Sequence, residues 1–358
     1  MKRPTIKDVA REASCSLSTV SLVVNDRGYV SKETRERVLK VIKDLGYHVT
    51  RTARGLASKT SGNIGFILRE DHFSQAEPFY TRVFLGAEFA ARELNFYLLL
   101  ATIGQRFSER NDFPRFLLEG NVDGLIVAGK VSLQFIERAA HFGIPIVLVD
   151  FALTRERFPA VLIDNRAGAH AAVKHLIECG HREIGFIAGD LGHPSIAERY
   201  AGFKEALRER DIPYRDELCS TNQPDTRVID GANAIRAILA RGAKPTAVFA
   251  ANDAMAIGCL RRVRDLGMRI PQDLAIVGFD DIDMSSHVEP RLTTVRVFKE
   301  EMGKLAVVRL VDIIQKKIKH VVTTHVPVEL VVRESTGGKP TEAGDVVEAV
   351  MGLSVPMK

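Results

Sequence analysis

The sequence lacks several features that mark other classes of protein. No apolar run approaches the roughly 18 to 20 residues that a membrane helix needs, and the first residues lead into no apolar signal-peptide core. The four cysteines, Cys15, Cys179, Cys219 and Cys259, are far apart and form no CxxC pair. This spacing favours ordinary buried thiols over a disulfide framework or a zinc site. We therefore expect a cytoplasmic protein that uses no cofactor, no metal and no membrane.

The motifs of common enzyme classes are missing as well. No GxGxxG follows a predicted strand, and no GxSxG is present. Residues 124–130 match the GxxxxGK start of a P-loop, but Val131 stands where serine or threonine must hold magnesium. His170 and His175 are five residues apart on a predicted helix and point in different directions. No residue is therefore assigned a catalytic role.

The charge of the chain is unevenly distributed. The 358 residues are enough for two or three domains and carry a net charge of +5. Residues 1–60 contain 13 Lys or Arg against 6 Asp or Glu, whereas the remainder contains 37 against 39. A basic head on a near-neutral body indicates a polyanionic partner, most simply nucleic acid, although a solvated basic terminus has the same composition.

The basic head has the apolar periodicity of three short helices. The first carries apolar residues at helical spacing from Ile6 to Ala13, with Thr5 as its N-cap. A second helix is predicted from about Leu17 to Val24, and a third from Ser31 to its stop at Gly46. Two short helices joined by a tight turn and covered by a third form a helix-turn-helix, although a generic three-helix bundle has the same periodicity. The second helix would expose Leu17, Ser18, Ser21 and Leu22 to the major groove.

A series of ordered motifs runs through this region. They are TIKDVAREA at 5–13, STVS at 18–21, Asn25, SKETRERV at 31–38, LGY at 45–47 and ARGLA at 53–57. Together they resemble the DNA-binding head of LacI-family bacterial transcriptional regulators, and the similarity extends through the body to about Gly337. Two departures from the family pattern concern the reading of DNA. Ser14 and Cys15 replace a glycine and a valine in the turn, and Leu22 stands where a hydrogen-bonding residue, often arginine, is common.

The resemblance implies a set of DNA contacts. Leu17, Ser18 and Leu22 would read base edges, and Leu22 could touch a thymine methyl but could not bond guanine. A hinge helix within 47–57 would enter the minor groove, where Leu56 wedges between base pairs and kinks the duplex. Arg51 and Arg54 would hold the phosphates beside it. The matched positions also imply DNA contacts at Thr5, Thr19, Ser21, Asn25, Tyr47 and Ala53.

The body alternates short β-branched runs with helical patterns. This alternation predicts parallel sheets covered on both faces, and its length favours two lobes. The predicted strands are 63–68, 97–101, 124–128, 145–149, 184–188, 246–250 and 274–277. The predicted helices are 81–94, 167–179, 197–210, 228–240 and 254–266. The resemblance adds that the two doubly wound lobes are like those of a periplasmic binding protein and are joined by three crossings near Val161, Arg291 and Thr324.

Polar residues follow three of the predicted strands, where ligands bind to open parallel sheets. Asp150 comes directly after such a strand, Asn252 two residues after the end of one and Asp280 three residues after the end of one. The resemblance matches these positions to effector contacts and adds Arg199. Phe79 is a possible stacking surface for a sugar ring, although an aromatic residue after proline is more often packing. Taken singly, Asn252 or Asp280 could be a turn or helix cap, but the group of four favours a pocket for vicinal hydroxyls.

These observations predict a domain organisation. We expect a helix-turn-helix head at 1–47, a hinge and linker at 48–61, a two-lobed effector-binding and dimerisation domain at 62–336, and a flexible tail at 337–358. The first lobe would comprise about 62–161 and 292–324, and the second about 162–290 and 325–336.

The expected function is that of a transcriptional regulator, most simply a repressor, controlled by a sugar or polyol. A homodimer would read a pseudo-palindromic operator in double-stranded DNA, with pairing of dimers into tetramers left open. Ligand in the crevice would change the orientation of the lobes and so order or fray the hinge helices. The alternative is a soluble small-molecule-binding protein or an enzyme that uses the same crevice.

Overall fold

The computed structural model describes residues 4–24, 28–47, 60–70, 79–104, 113–153, 158–317 and 320–338. They belong to two compact units, an N-terminal unit that ends at Asn63 and also includes residues 121–123, and a larger α/β unit.

The helices are α1 (Ile6–Glu12), α2 (Leu17–Val24), α3 (Lys32–Leu45), α4 (Phe79–Glu93), α5 (Arg115–Leu118), α6 (Leu133–Ala140), α7 (Asn165–Glu178), α8 (Pro194–Glu209), α9 (Val228–Ala240), α10 (Asp253–Asp265) and α11 (Lys299–Ile314). The strands are β1 (Asn63–Arg69), β2 (Tyr97–Ile103), β3 (Gly124–Ala128), β4 (Ile146–Val149), β5 (Ala160–Ile163), β6 (Ile184–Ile187), β7 (Cys219–Ser220), β8 (Ala247–Ala250), β9 (Ala275–Val277), β10 (Thr294–Val297), β11 (Thr323–Val326) and β12 (Val328–Val331).

The first three helices enclose a small core of their own. The buried side chains are Val9, Ala10, Ala13, Val20, Val23, Val38 and Tyr47. The start of α1 is capped as predicted, since the Thr5 amide donates to the Asp8 carboxylate at 2.8 Å. The Thr34 amide donates to the Ser31 hydroxyl at 3.3 Å and caps α3. The three predicted helices and the stop at Gly46 are therefore confirmed.

The turn between α1 and α2 bends at Ser14. This residue has a φ of +48°, in the left-handed region. The Cys15 amide donates to the Ala10 carbonyl oxygen at 3.0 Å, which closes a Schellman-type helix end. Glycine is favoured at that position because a Cβ atom there is strained. The departure from glycine at Ser14 therefore falls where the backbone needs glycine most.

The larger unit contains two parallel sheets. The first has six strands in the order β11-β5-β4-β3-β1-β2, and the second has four in the order β7-β6-β8-β9. In the first sheet β3, paired with both β1 and β4, is buried along its full length. In the second, β6 pairs with both β7 and β8. Strands buried in this way read as continuous apolar runs, which is why the sequence pattern revealed them.

Glycines allow the helices that cover these sheets to pack closely in pairs. A Cβ atom at Gly303 of α11 would lie 1.9 Å from the Val83 carbonyl oxygen of α4. One at Gly258 of α10 would lie 1.8 Å from the Val228 carbonyl oxygen of α9. Because neither backbone can accommodate a side chain at these crossings, both helix pairs depend on glycine.

The fold class is confirmed as a helical head with an α/β body of parallel sheets. All seven predicted strands and all five predicted body helices are present, with ends shifted by at most three residues. The sequence reading missed β5, β7 and β10–β12. These are only two to four residues long, and β10 pairs with β12 in an antiparallel ribbon apart from the two sheets. It also missed the helices α5, α6 and α11.

Parts of the predicted organisation lie outside the described residues. These are residues 48–59 of the predicted hinge and linker, and the predicted tail beyond Gly338. In the part of the chain that is described, no helix is long and apolar enough to cross a membrane.

Candidate functional site

A cavity of about 510 Å³ lies where strands of both parallel sheets end. Its walls include Arg69 at the end of β1, Asp150 after β4 and Asn252 after β8. The carboxyl ends of parallel strands collect polar side chains at one edge, which is where α/β proteins bind ligands. The structure brings together all five residues predicted to bind the effector, which are Phe79, Asp150, Arg199, Asn252 and Asp280.

Arg199 is held by several contacts in the wall of the cavity. Its side chain comes from α8 and is buried, and its guanidinium carbon lies 3.7 Å from the centre of the Phe279 ring. Three of its nitrogens donate hydrogen bonds, to the Asn165 amide oxygen at 2.8 Å, to the Ala251 carbonyl at 2.6 Å and to the Asp280 carboxylate at 3.2 Å. The guanidinium therefore has a fixed orientation in the cavity wall.

Asp150 connects groups from different parts of the cavity. Its carboxylate accepts hydrogen bonds from the Tyr80 hydroxyl at 2.8 Å and from the Ser195 hydroxyl at 2.9 Å. Tyr80 belongs to α4, which covers the six-stranded sheet, and Ser195 to α8, which covers the four-stranded one. Burial and the adjacent carboxylate raise the pKa of the Tyr80 phenol well above its usual value. The phenol therefore remains a hydrogen-bond donor at neutral pH.

The two cavity carboxylates occupy unusual backbone conformations. Asp150 has a φ of +66° and Asp280 a φ of +109°. Both residues lie just after a strand, and such conformations concentrate at ligand sites because the surrounding structure has to impose them. Burial raises the pKa of the Asp280 carboxyl, while the charges of Arg199 and Lys299 oppose that rise.

Behind Asp280 lies a second layer of buried charge. The Lys299 ammonium donates to the Asp280 carbonyl oxygen, and burial lowers its pKa. The Asp253 carboxylate accepts from the hydroxyls of Ser285 at 2.6 Å and Thr294 at 2.5 Å. Burial and the Asp280 charge nevertheless raise the pKa of Asp253 to about 7. This layer fixes the loop that presents Asp280 to the cavity.

Asn252 acts as a helix cap, one of the alternatives that the sequence left open. Its side-chain oxygen accepts from the Met255 amide at 2.9 Å, and its side-chain nitrogen donates to the Thr226 carbonyl at 3.0 Å. It lines the cavity while it caps α10. The Phe79 ring packs edge-on against Tyr80, with the ring centres 4.9 Å apart, so it is both packed and part of the cavity wall.

Sequence reasoning missed several other residues of the cavity. Tyr80, Lys130, His193 and Ser195 all line it. Lys130 could have been found, since it lies two residues after the end of β3, but its sequence context resembles the start of a P-loop. The burial of β3 as a regular strand is consistent with the rejection of that motif. Ser195 and His193 gave no signal because their positions depend on where α8 begins.

The predicted DNA-contacting residues of the head differ in exposure. Leu17 is 44% exposed and Leu22 37%, and Ser18 is exposed between them on α2. Thr19 and Ser21 are half-buried, and the Thr19 amide donates to the Ser16 hydroxyl at 3.0 Å. Thr5 is exposed at the start of α1.

Tyr47 differs from the other predicted DNA contacts of the head that the structure describes. Tyr47 is only 6% exposed, because its ring belongs to the core of the head. Its side chain is therefore a packing group in the structure. The predicted contacts that lie outside the described residues are Asn25, Arg51, Ala53, Arg54 and Leu56.

Two family descriptions match the chain. "Bacterial regulatory proteins, lacI family" matches residues 5–49, and "Periplasmic binding protein-like domain" matches residues 173–336. The first range covers the three-helix head. The second begins within α7 and covers the elements from β6 to β12, which include the whole four-stranded sheet.

Individual relatives match along almost the whole chain. Catabolite control protein A of Priestia megaterium is 34% identical over 334 residues, which is 93% of this chain and 99% of that protein. The solved complex of the transcriptional regulator CelR with cellobiose is 34% identical and covers 93% of this chain and 100% of its own, with a TM-score of 0.71. The Lac repressor dimer bound to operator and the anti-inducer ONPF is 29% identical and covers 94% and 99%, with a TM-score of 0.79.

The names of these relatives are those of a control protein, a transcriptional regulator and a repressor. The head matches the family description, and the body contains the parallel sheets and the cavity at the ends of their strands. The chain belongs to the LacI family of bacterial transcriptional regulators.

Proposed function

We propose that this chain is a repressor that binds a pseudo-palindromic operator as a homodimer and responds to a sugar or sugar derivative. The observation that carries the effector half is the convergence of Asp150, Arg199, Asn252 and Asp280 on one cavity. Carboxylates, an amide and a guanidinium together suit vicinal hydroxyl groups. The similarity to a regulator solved with cellobiose and to a repressor dimer solved on its operator supports both halves.

In the DNA half of the proposal, α2 reads bases in the major groove. The exposure of Leu17, Ser18 and Leu22 supports this role, because small and apolar side chains can approach base edges closely. Two heads spaced by one helical turn would read the two halves of the operator. Leu56 would enter the minor groove, and Arg51 and Arg54 would hold the phosphates beside it.

In the effector half, the ligand bridges the two lobes. We propose lobes of about 62–161 with 292–324, and 162–290 with 325–336. The hydrogen bond from Ser195 to Asp150 supports a lobe-bridging cavity, because the two residues come from opposite sides of it. A ligand that replaced or extended this contact would change the relative orientation of the lobes, and the linker 48–61 would pass that change to the operator affinity.

The test is operator binding by the full chain. An operator selected from random DNA should be palindromic, and log affinity should fall steeply with log salt concentration. Leu56→Ala should weaken binding to this operator far more than binding to unrelated DNA, with the exposed Leu133→Ala as a control in the body. The DNA half is wrong if no palindromic sequence is selected or if Leu56→Ala reduces both affinities equally.

A further inference from the structure

One wall of the cavity carries positive charge from two neighbouring strands. β1 and β3 pair in parallel, with Leu68 beside Ala128, and their carboxyl ends continue into Arg69 and Lys130. An Arg69 guanidinium nitrogen donates to the Lys130 carbonyl oxygen at 3.4 Å, so the two residues are held together. Both line the cavity. This edge of the six-stranded sheet therefore presents two adjacent cations to a ligand.

The facing wall meets these cations at the start of α8. The Lys130 ammonium donates to the Gly192 carbonyl oxygen at 2.7 Å, immediately before His193. The Nδ1 atom of His193 is buried and has no hydrogen-bond partner among the described residues. A buried polar nitrogen without a partner is costly, and a ligand in the cavity could supply the missing bond.

Two further cations of the cavity have carboxylate partners. Arg199 pairs with Asp280, and the Arg227 guanidinium lies 3.2 Å from the Asp225 carboxylate. The Asp190 carboxylate accepts from the Gly192 amide at 2.7 Å. By contrast, Lys130 bonds a neutral carbonyl and forms no ion pair within the described part of the chain. An ammonium has three N–H donors, so two remain for a ligand.

The ends of two helices add to the positive potential. Ser132 is the N-cap of α6 and His193 that of α8, and both line the cavity. The free amides at a helix N-terminus favour negative charge. Lysine, imidazole and helix amides together are the usual ligands of phosphate and carboxylate groups.

We propose that the effector carries an anionic group, a phosphate ester or a carboxylate, which binds between Lys130, Arg69 and His193. This inference rests on the proposed function, because it concerns the ligand of the same cavity. The hydroxyl groups of the effector would then face Asp150, Arg199 and Asp280. A cavity of about 510 Å³ is large enough for a monosaccharide with such a substituent.

The anion site can be tested without knowledge of the sugar. Inorganic phosphate and acetate are titrated separately into the full chain, with sodium chloride at matched ionic strength as the reference, and the thermal midpoint is followed. We expect saturable stabilisation of the wild type, and a dissociation constant about tenfold higher in Lys130→Gln and several-fold higher in His193→Gln. Lys204→Gln is the matched control, because Lys204 is an exposed lysine of α8 that packs over Tyr200.

Each outcome decides a separate point. Stabilisation by phosphate alone identifies a phosphate ester, and stabilisation by acetate identifies a carboxylate. Anions that bind the wild type and Lys130→Gln equally, or bind neither, overturn the proposal. The proposed function has its own readout, which is release or retention of operator DNA by members of a neutral sugar panel. A neutral sugar that acts through Arg199 while no anion binds at Lys130 would leave the proposed function standing and remove only the anion site.

Discussion

The Arg199 guanidinium lies 3.2 Å from the Asp280 carboxylate, and both side chains are buried in the cavity wall. Such a pair is costly to break from one side, because the remaining charge stays buried without a partner. The pair therefore has two roles. It is part of the wall that a ligand would touch, and it is needed for that wall to fold.

The first prediction separates these two roles. Arg199→Ala should lower the free energy of unfolding by about 3 kcal/mol, since it leaves Asp280 uncompensated. Arg199→Lys keeps the charge but loses the planar contact with Phe279. It also cannot reproduce the three hydrogen bonds that separate guanidinium nitrogens donate. We expect the lysine variant to fold and bind operator normally but to lose its effector response. Urea unfolding and operator anisotropy measure the two effects, and an intact response in folded Arg199→Lys would remove Arg199 from the ligand site.

The second prediction concerns the pH dependence of stability through Asp253. Its pKa in the folded chain is about 7, above the value of an unfolded aspartate. The folded state therefore holds an extra proton between about pH 4 and pH 7, and the corresponding stability is lost as the pH rises through 7. Asp253→Asn should lack this loss, which we expect to amount to a few kcal/mol.

Urea unfolding of both proteins at several pH values between 5 and 8 gives the difference directly. The exposed Asp265→Asn on the same helix is the control, and its difference from the wild type should not vary in this way. A constant difference between the wild type and Asp253→Asn across this range would show that Asp253 is ionised throughout.

The third prediction concerns the turn of the head. Ser14 has a φ of +48° at a helix end that favours glycine, so Ser14→Gly should stabilise the head by about 0.5–1 kcal/mol. Ser16→Ala, two residues away, should destabilise it by about 1 kcal/mol because it removes the cap of α2. Amide hydrogen exchange in α1 and α2 of the full chain measures both changes. Opposite signs are expected, and destabilisation by both substitutions would contradict the account of Ser14.

The fourth prediction concerns base reading by Leu22. A leucine can contact a thymine methyl but offers no hydrogen bond, whereas arginine can bond the O6 and N7 atoms of guanine. Leu22→Arg should therefore shift one position of each selected half-site toward guanine. Leu39→Arg, on an exposed position of α3, is the control for added positive charge. Selection from random DNA with each variant gives the comparison, and an unchanged preference would move Leu22 out of the base-reading surface.

Local sequence patterns were sufficient to predict the elements whose stabilising interactions are local. The helices of the head, their caps at Thr5 and Ser31, and the buried strands of the body could be read from spacing alone, because each depends on residues a few positions apart. The rule that ligands bind at the carboxyl ends of parallel strands predicted Asp150, Asn252 and Asp280 as cavity residues from the sequence alone. Family resemblance contributed Arg199.

The tertiary structure decided what depends on distant partners. β11 pairs with β5 although about 160 residues separate them, and no short motif encodes such a pairing. Tyr47 was predicted at the DNA surface, but the core of the head buries its ring. Lys130 belongs to a sequence that resembles a P-loop but lacks its serine or threonine. It lies at the cavity because β3 ends beside β1. The sequence by itself determined the local elements and the class of site, since these follow from neighbouring residues. Only the tertiary structure determined which residues line the cavity together, because those contacts join positions that are far apart in the chain.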